Sequence, residues 1–426
     1  MRTTVALRLA QGYSEEFPSR WPTHAEIPGR RLAAEAHLSE TSLKGSASAA
    51  AQWAVLLECG KPHPDAKRLR DLLLQPLDWP ALLALAQDHG ILGLIAIQLR
   101  DFNDSAVPTE VRRRLRDWPR LHTLFTMNLC AEMFRLFDSF AASAIEALVI
   151  KGPVLSARCY GDPGLRQYGD LDLIVRDKDI PQLTELMMRL GYEPSVPLAT
   201  IQAKKIPGEY VFRQSSTKLL VEFHTGLTFR YHPRPLPLEN LFKRQARVKI
   251  DSHQVPALSP EDELILICIH AAKHFWEQLS YIADVAAFVS NQELDWGRVK
   301  SAAEEVEGER MLYVGLRLAA DVLDAPLPQN IASIVRSDRR VGRLANQIMR
   351  WLPAAGSAPP GIFERATFRM RMRGGFFSGP AYLLRLSFSP TEEDWVEGPE
   401  NKRHWFLDAL GRPFRLARKY GSDRKA

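Results

Sequence analysis

The sequence predicts an α+β fold, in which a small mixed sheet is flanked by N-terminal and C-terminal helical domains. Apolar residues recur at helical spacing over residues 48–144. Short β-type runs then alternate with helical runs over residues 145–257, which is the pattern of a mixed α/β unit. Helical spacing resumes over residues 258–352. These three observations predict one sheet-containing core between two helical domains.

The composition is typical of a folded chain with two or three domains. The chain has 426 residues, of which 46% are hydrophobic and 25% are charged. These values exclude a short peptide module, a disordered chain and a fibrous one. Lys and Arg together number 56 against 50 for Asp and Glu, a net charge of +6. This modest excess permits an anionic substrate without requiring one.

The sequence contains no apolar run that approaches the roughly 18 residues of a membrane-spanning helix. Residues 1–18 are interrupted by Arg8 and carry Glu15 and Glu16, so they lack the apolar region of a secretory signal. The four cysteines are widely separated and form no CxxC pair, which indicates neither a disulfide framework nor a zinc site. We therefore expect a cytoplasmic protein.

The N-terminal third divides into a leader and a helical domain. Residues 1–47 lack sustained periodicity and are expected to form a mobile leader. In the helical domain that follows, Pro80 and Pro119 are expected to mark helix boundaries. Five arginines within residues 112–120 form a basic cluster, which we interpret as a solvated helix face. A contact with RNA or phosphate is the alternative interpretation.

The first strand of the core leads into a turn with phosphate-binding features. Residues 147–150 predict a buried strand that ends at Lys151-Gly152-Pro153. Gly152 permits a tight turn, and Pro153 can occupy the first turn of a following helix. The N-terminus of such a helix can bind phosphate oxygens, with Lys151 close by. Strand-glycine-helix junctions are common, so this motif alone does not establish a phosphate site.

Two carboxylates open the next predicted strand, which covers residues 170–175. Because side chains alternate along a strand, Asp170 and Asp172 share one face. Two neighbouring carboxylates repel each other unless a cation lies between them. Mg²⁺ prefers oxygen ligands and is commonly held by one or two carboxylates together with substrate phosphates. The DxD pattern therefore favours a magnesium site.

A third carboxylate lies in the predicted strand 219–224, where Leu220, Glu222 and His224 share a face. Burying an ionised Glu222 without a partner would cost several kcal/mol, so it needs a cation or a salt bridge. If this strand pairs with strand 170–175, three carboxylates lie on one sheet face. Such a group is suited to a two-metal displacement at phosphorus.

These motifs resemble the uncharacterised nucleotidyltransferase family, which belongs to the DNA polymerase β-like nucleotidyltransferase superfamily. The resemblance covers most of the chain after about residue 50 and identifies residues 145–257 as the nucleotidyltransferase core. Several motifs occur in the expected order, and they lie at residues 150–152, 160–166, 169–175, 221–224, 269–276, 282–285, 389–394 and 412–416.

The resemblance implies that Asp170 and Asp172 are metal ligands and that Glu222 is the third catalytic carboxylate. It further implies Mg²⁺ or Mn²⁺ as cofactor and a nucleoside triphosphate (NTP) such as ATP as co-substrate. Gly152 and the helix that follows are expected to face the triphosphate.

Two departures from the wider superfamily concern phosphate binding. Lys151-Gly152-Pro153 replaces the usual Gly-Ser pair, and the distance from Gly152 to Asp170 along the sequence is longer than normal. Lys151 or Arg166 can supply the positive charge that the missing serine contact does not, because arginine suits bidentate contacts with phosphate oxygens. Lys151, Gly152 and Arg166 are therefore predicted to bind the nucleotide.

Four residues are candidates for accessory roles. His270 and His274 lie on one helix face, but Ala271 stands where the zinc-protease motif HExxH needs glutamate, which excludes that reading. The pair is expected to be structural, or to bond with Asp284 and join the helical domain to the active site. His224 is included because its predicted face matches that of Glu222.

The sequence therefore predicts a Mg²⁺-dependent enzyme that moves a nucleoside monophosphate from an NTP to an acceptor, with release of pyrophosphate. The acceptor is a small molecule, a protein or RNA. One alternative is a catalytically inactive nucleotide-binding or scaffold protein, which the missing Gly-Ser pair favours. Another is an RNA-modifying, toxin-like enzyme, for which the arginine cluster supplies a phosphate-binding surface. The sequence does not indicate an oligomeric state.

The C-terminal residues 353–426 are expected to form a linker and a basic, aromatic tail. Proline and glycine cluster at the start of this segment, over residues 353–361. Aromatic residues in Phe376–Phe388 give weak peripheral association with membranes as a further alternative.

Overall fold

The computed structural model describes residues 42–100, 102, 106–198, 201, 208–226, 237–352 and 361–373. In this part of the chain, helices precede and follow one seven-stranded mixed sheet, which confirms the predicted α+β fold class. None of the helices described is long and apolar enough to cross a bilayer.

The predictions for the two ends of the chain fall mostly outside the described residues. Of the predicted leader, only residues 42–47 are described, and they form the start of the first helix. Of the predicted linker and tail, residues 353–360 and 374–426 are not described. The proposed membrane-contact segment lies within the second of these ranges.

Five helices lie before the sheet in the described chain. They are α1 (Ser42–Gly60), α2 (Ala66–Leu73), α3 (Trp79–Asp88), α4 (Leu92–Leu99) and α5 (Thr109–Ala142). Carboxylates cap two of them: Asp65 accepts backbone N–H bonds at the start of α2, and Asp78 does so at the start of α3. Pro80 lies in the first turn of α3, so the predicted boundary there is confirmed.

Helix α5 continues through Pro119, so the helix boundary predicted at that proline is wrong. Proline cannot donate a backbone hydrogen bond, which usually bends or ends a helix. In α5, however, Val111 and Leu115 before the proline and Leu129 and Met133 after it are all buried. Packing of both halves of the helix outweighs the lost hydrogen bond.

The strands form one mixed sheet in the order β3-β4-β5-β2-β1-β7-β6. They are β1 (Ala147–Ile150), β2 (Asp170–Val175), β3 (Tyr192–Pro194), β4 (Glu209–Gln214), β5 (Leu220–His224), β6 (Ala246–Ile250) and β7 (His253–Ala257). Strands β2 and β5 are parallel, as are β1 and β7, and the other neighbours are antiparallel. The central strands β1 and β2 are almost completely buried.

The remaining helices join the strands or follow the sheet. Those between strands are α6 (Gly152–Tyr160), α7 (Ile180–Arg189) and α8 (Leu238–Lys243). Those after the sheet are α9 (Pro260–Lys273), α10 (Leu279–Asn291), α11 (Trp296–Glu305), α12 (Glu309–Leu323), α13 (Gln329–Ser337), α14 (Arg339–Trp351) and α15 (Ile362–Arg371).

The two faces of the central strands belong to different apolar clusters. Leu171, Leu173 and Phe223 pack with buried residues of α5 and α7. Ile174 points to the opposite face and joins a second cluster, which contains residues of α6 and of the helices after the sheet. Asp172 shares the face of Ile174 because the two are separated by one residue. The carboxylates of β2 therefore lie on the side of the sheet that faces α6.

Candidate active site

The parallel pairing of β2 and β5 brings the predicted carboxylates onto one face. Asp172 lies directly opposite Glu222, and Asp170 lies opposite Leu220. Alternation along both strands gives Asp170, Asp172 and Glu222 the same orientation. We call these three residues, together with Lys151, the carboxylate cluster.

His224 lies closer to this cluster than its predicted accessory role indicates. Its Nε2 is 2.9 Å from Oδ1 of Asp172 and 3.8 Å from Oε2 of Glu222. One ligand atom from each of these three residues falls within 4.8 Å of the others, in a group that does not include Asp170. The alternation of β5 had already placed His224 on the face of Glu222. The contact of His224 with Asp172 could be predicted only from the register between β2 and β5.

The donor atoms of this site fit a divalent cation. Carboxylate oxygens suit Mg²⁺ and Mn²⁺, and imidazole nitrogen is a common ligand of first-row transition metals. Asp172 and His224 are buried, whereas Glu222 is partly exposed. The site thus combines buried donors with one side open to a ligand.

Lys151 supplies the positive charge closest to the carboxylates. Its Nζ is 3.1 Å from Oδ1 of Asp172, and 12% of its side chain is exposed. Burial alone would lower the pKa of Lys151, but the negative charge of the three carboxylates outweighs burial and raises the pKa above its usual value. The ammonium group is therefore charged and fixed on Asp172.

The three carboxylates differ in their affinity for protons. Burial and the charge of Asp172 raise the pKa of Asp170 to about 6. Burial and the two aspartates raise the pKa of Glu222 well above its usual value. Burial would also raise the pKa of Asp172, but Lys151 and the hydrogen bond from His224 lower it below its usual value. Asp172 is thus the ionised centre of a site with more carboxylates than ammonium groups.

The turn at Lys151 and Gly152 passes beside the start of β2. Both residues have positive φ, with values of 61° and 51°. A Cβ atom added to Gly152 would lie 3.8 Å from the backbone oxygen of Asp170. Helix α6 begins at Gly152 and has Pro153 in its first turn. The free N–H groups at the start of this helix are therefore close to the start of β2.

Arg166 forms an ion pair with α10, one of the helices that follow the sheet. Its Nε lies 2.8 Å from Oδ2 of Asp284, and Tyr160 donates a hydrogen bond of 2.9 Å to Oδ1 of the same carboxylate. The backbone N–H of Arg166 also donates to Oγ of Ser156. Asp284 thus joins α10 to the segment before Asp170 through Arg166 and Tyr160. A bond from His270 or His274 to Asp284 stays a prediction. A phosphate contact of Arg166 stays a prediction.

The two predicted accessory histidines, His270 in α9 and His274 directly after it, pack with an aromatic ring of α10. The ring centroids of His270 and His274 are 4.7 Å apart, and that of Tyr281 lies 5.7 Å from His270. Burial, followed by the positive charge of Lys151, holds the pKa of His270 well below its usual range. The His270 ring is therefore neutral. Its buried Nδ1 has no hydrogen-bond partner within the described residues.

A second group of buried charges combines the predicted residues Arg166 and Asp284 with two residues that the sequence did not indicate, Arg158 and Glu263. Nη1 of Arg158 in α6 pairs with Oε2 of Glu263 in α9, and Nη2 donates to the backbone oxygen of Leu258. The charges of Arg158, Arg166 and Asp284 all act on the pKa of Glu263, so the four groups form one unit. We call it the balanced cluster, and its members are Arg158, Arg166, Glu263 and Asp284.

Comparisons with known proteins give one family and two distant structures. The model of a family described as uncharacterised nucleotidyltransferase matches residues 75–324, which is more than half of the chain. A crystal structure of a lincosamide antibiotic adenylyltransferase with bound lincomycin is 12% identical, and the match covers 38% of this chain and 97% of that chain with a TM-score of 0.30. An antigenic nucleotidyltransferase-like protein from Paracoccidioides brasiliensis is 16% identical, with coverages of 49% and 93% and a TM-score of 0.28. No curated protein matches the chain.

Proposed function

The chain belongs to the uncharacterised nucleotidyltransferase family, and from this we propose that its carboxylate cluster is the catalytic site of nucleotidyl transfer. In the proposed reaction, a nucleoside monophosphate moves from an NTP to an acceptor. The observation that carries the proposal is the register of β2 and β5, which sets Asp172 opposite Glu222. Asp170 shares their face, beside the N-terminus of α6.

The proposed ligands of Mg²⁺ or Mn²⁺ are Asp170, Asp172 and Glu222. A bound divalent cation would supply positive charge at the reacting phosphate and would lower the pKa of an attacking hydroxyl group. Lys151 and His224 would keep Asp172 ionised and hold its carboxylate in one orientation, because both contact its Oδ1.

The remaining chemistry needs groups that bind phosphate and accept a proton. The N–H groups in the first turn of α6 and the charge of Lys151 would bind oxygens of the triphosphate. An oxygen or nitrogen atom of the acceptor forms a bond to the α-phosphorus while the bond to the bridging α–β oxygen breaks. Pyrophosphate leaves, and a carboxylate of the cluster takes the proton of the acceptor.

The acceptor is proposed only as a hydroxyl or amino compound, in free form or on a macromolecule. An RNA acceptor is the less favoured of these, since the arginine cluster on α5 is partly neutralised. Arg113 pairs there with Glu110 and Asp117 on an exposed face. This pairing supports the interpretation of a solvated helix face.

The proposal is tested by transfer of label from each α-³²P-labelled NTP, ATP first, into a fractionated lysate with Mg²⁺ or Mn²⁺. We expect label in one fraction with the wild-type protein and none with Asp172→Asn. Asp321→Asn is the matched control, because Asp321 pairs with Arg317 on the surface of α12. The labelled fraction identifies the acceptor as RNA, protein or small molecule. Equal labelling by wild type and Asp172→Asn would contradict the proposal, and NTP binding without labelling would favour a binding protein.

A further inference from the structure

The backbone of Lys151 has a conformation that glycine ordinarily adopts. Its φ and ψ are 61° and −147°, in a region that other residues avoid because of their Cβ atom. Such a conformation is strained and persists only where the surrounding structure enforces it. Strain of this kind clusters at functional sites. The strained backbone of Lys151 therefore indicates that its side chain has a functional position.

The side chain of Lys151 ends on an oxygen that already has another partner. Oδ1 of Asp172 lies 3.1 Å from Nζ of Lys151 and 2.9 Å from Nε2 of His224. An ionised carboxylate oxygen only accepts hydrogen bonds, and it has two lone pairs. Both lone pairs of this oxygen are therefore used within the protein. The free donor atoms of the site are the other oxygen of Asp172 and the carboxylates of Asp170 and Glu222.

A second lysine shows that pairing with carboxylates does not require a strained backbone. The side chain of Lys61 is also 12% exposed, and its Nζ lies 2.8 Å from both Glu58 and Asp324. Lys61 is nevertheless not one of the residues that have a positive φ in the described chain. The strain at Lys151 is thus tied to its location at the sheet face, at the turn that leads into α6.

We propose that Lys151 is a built-in cation that takes the place of one of the two divalent ions of a two-metal site. The enzyme would then bind a single divalent cation with its NTP. This inference rests on the proposed function. The geometry is consistent with it, because the ammonium group lies on Oδ1 of Asp172, where a metal ion would otherwise bind. A second divalent ion would compete with the ammonium group for Asp172.

The number of bound metal ions tests this inference directly. Native mass spectrometry can count Mn²⁺ ions on the complex of the protein with α,β-methylene-ATP, a non-reacting analogue. We expect one Mn²⁺ on the wild-type complex and two on Lys151→Met. Lys151→Gly should also bind two, because glycine removes the charge and fits the backbone. Lys61→Met is the matched control and should bind one.

Electron paramagnetic resonance gives an independent count. Two Mn²⁺ ions about 3.5–4 Å apart, the spacing of two-metal sites, give an exchange-coupled spectrum. We expect this spectrum from Lys151→Met and an uncoupled spectrum from the wild type. Lys151→Arg, which keeps the charge, should also bind one ion.

Two results would overturn the inference. One is a count of two ions on the wild type or on Lys151→Arg, and both measurements remain available if Lys151→Met does not fold. The other is a single ion on folded Lys151→Met and Lys151→Gly. Either result leaves the proposed transfer intact, provided that label transfer still depends on Asp172. A complex that binds no Mn²⁺ at all would instead contradict the metal site of the proposed function.

Discussion

The carboxylate cluster and the balanced cluster are both largely buried, but their charges add up differently. Helix α6 connects them, since it begins beside the carboxylates and carries Arg158. The balanced cluster pairs two arginines with two carboxylates, whereas the carboxylate cluster sets three carboxylates against Lys151. Buried charge is costly unless it is paired. Unbalanced charge therefore marks the cluster that is built for ligands, and balanced charge marks the one that joins helices.

The largest expected effect is on transfer by the carboxylate cluster. Asp172→Asn removes the one carboxylate that Lys151 and His224 keep ionised. We expect the rate of label transfer to fall by about 10³-fold or more, because metal-dependent charge stabilisation contributes several kcal/mol. The steady-state rate of transfer into the labelled fraction measures this loss. A rate within tenfold of the wild type would show that the cluster is not catalytic.

Neutralising a member of the balanced cluster should damage stability instead. Glu263→Gln leaves Arg158 buried without its charged partner. Breaking a buried ion pair on one side costs about 3–5 kcal/mol, which we expect as the loss in the free energy of unfolding. Urea denaturation followed by circular dichroism measures it. Glu304→Gln, which affects a surface pair with Lys300, is the control and should change the free energy by less than about 1 kcal/mol.

His89 tests what burial does to a titratable group that is not part of either cluster. Burial lowers its pKa to about 4, and its Nδ1 accepts a hydrogen bond from the backbone of Leu279. The folded protein therefore binds fewer protons here than the unfolded chain, whose histidine has a pKa near 6.5. The neutral His89 ring therefore contributes about 3 kcal/mol to the free energy of unfolding above pH 6.5. This contribution is lost as the pH falls towards 4.

Urea denaturation between pH 7 and pH 4 measures the contribution of His89. His89→Asn is the informative variant, because its side-chain oxygen can accept the bond from Leu279 without titrating. We expect a smaller loss of stability in this variant than in the wild type over the same range. Identical pH profiles would show that His89 does not contribute to the pH dependence of stability.

The smallest expected effect is a gain in the free energy of unfolding, whereas Glu263→Gln is expected to lower it. The raised pKa of Asp170, about 6, means that the folded metal-free protein binds a proton more tightly than the unfolded chain. Stability then falls as the pH rises from about 4 through 6. At pH 7.5, Asp170→Asn should stabilise the metal-free protein by about 1–3 kcal/mol.

The thermal midpoint with and without chelator measures this effect. In the absence of metal we expect a higher midpoint for Asp170→Asn than for the wild type. Mn²⁺ should raise the midpoint of the wild type more than that of the variant. A lower midpoint of the metal-free variant would mean that neighbouring groups stabilise the ionised carboxylate of Asp170.

The difference between the clusters also explains what the sequence could predict. The face shared by Asp170 and Asp172 follows from the alternation of one strand, which is a local property. The register that sets Asp172 beside Glu222 and His224 depends on pairing between distant strands, so the sequence could give it only as a condition.

The balanced cluster could not be predicted because its contacts span long stretches of sequence. The pair of Arg158 and Glu263 joins residues 105 positions apart, and that of Arg166 and Asp284 joins residues 118 positions apart. No local pattern specifies such pairs. Pro119 illustrates the same point. The local rule that proline ends a helix failed there, because the residues before and after Pro119 are packed and the helix continues.

Binding of Mn²⁺ tests the central claim that unbalanced charge marks the catalytic site. The ion would be titrated into wild type, Asp172→Asn and Glu263→Gln with α,β-methylene-ATP present, after circular dichroism shows that each is folded at 10 °C. We expect Asp172→Asn to lose at least tenfold in affinity and Glu263→Gln to bind within threefold of the wild type. Equal binding by Asp172→Asn and wild type, or an equal loss in both variants, would contradict the claim.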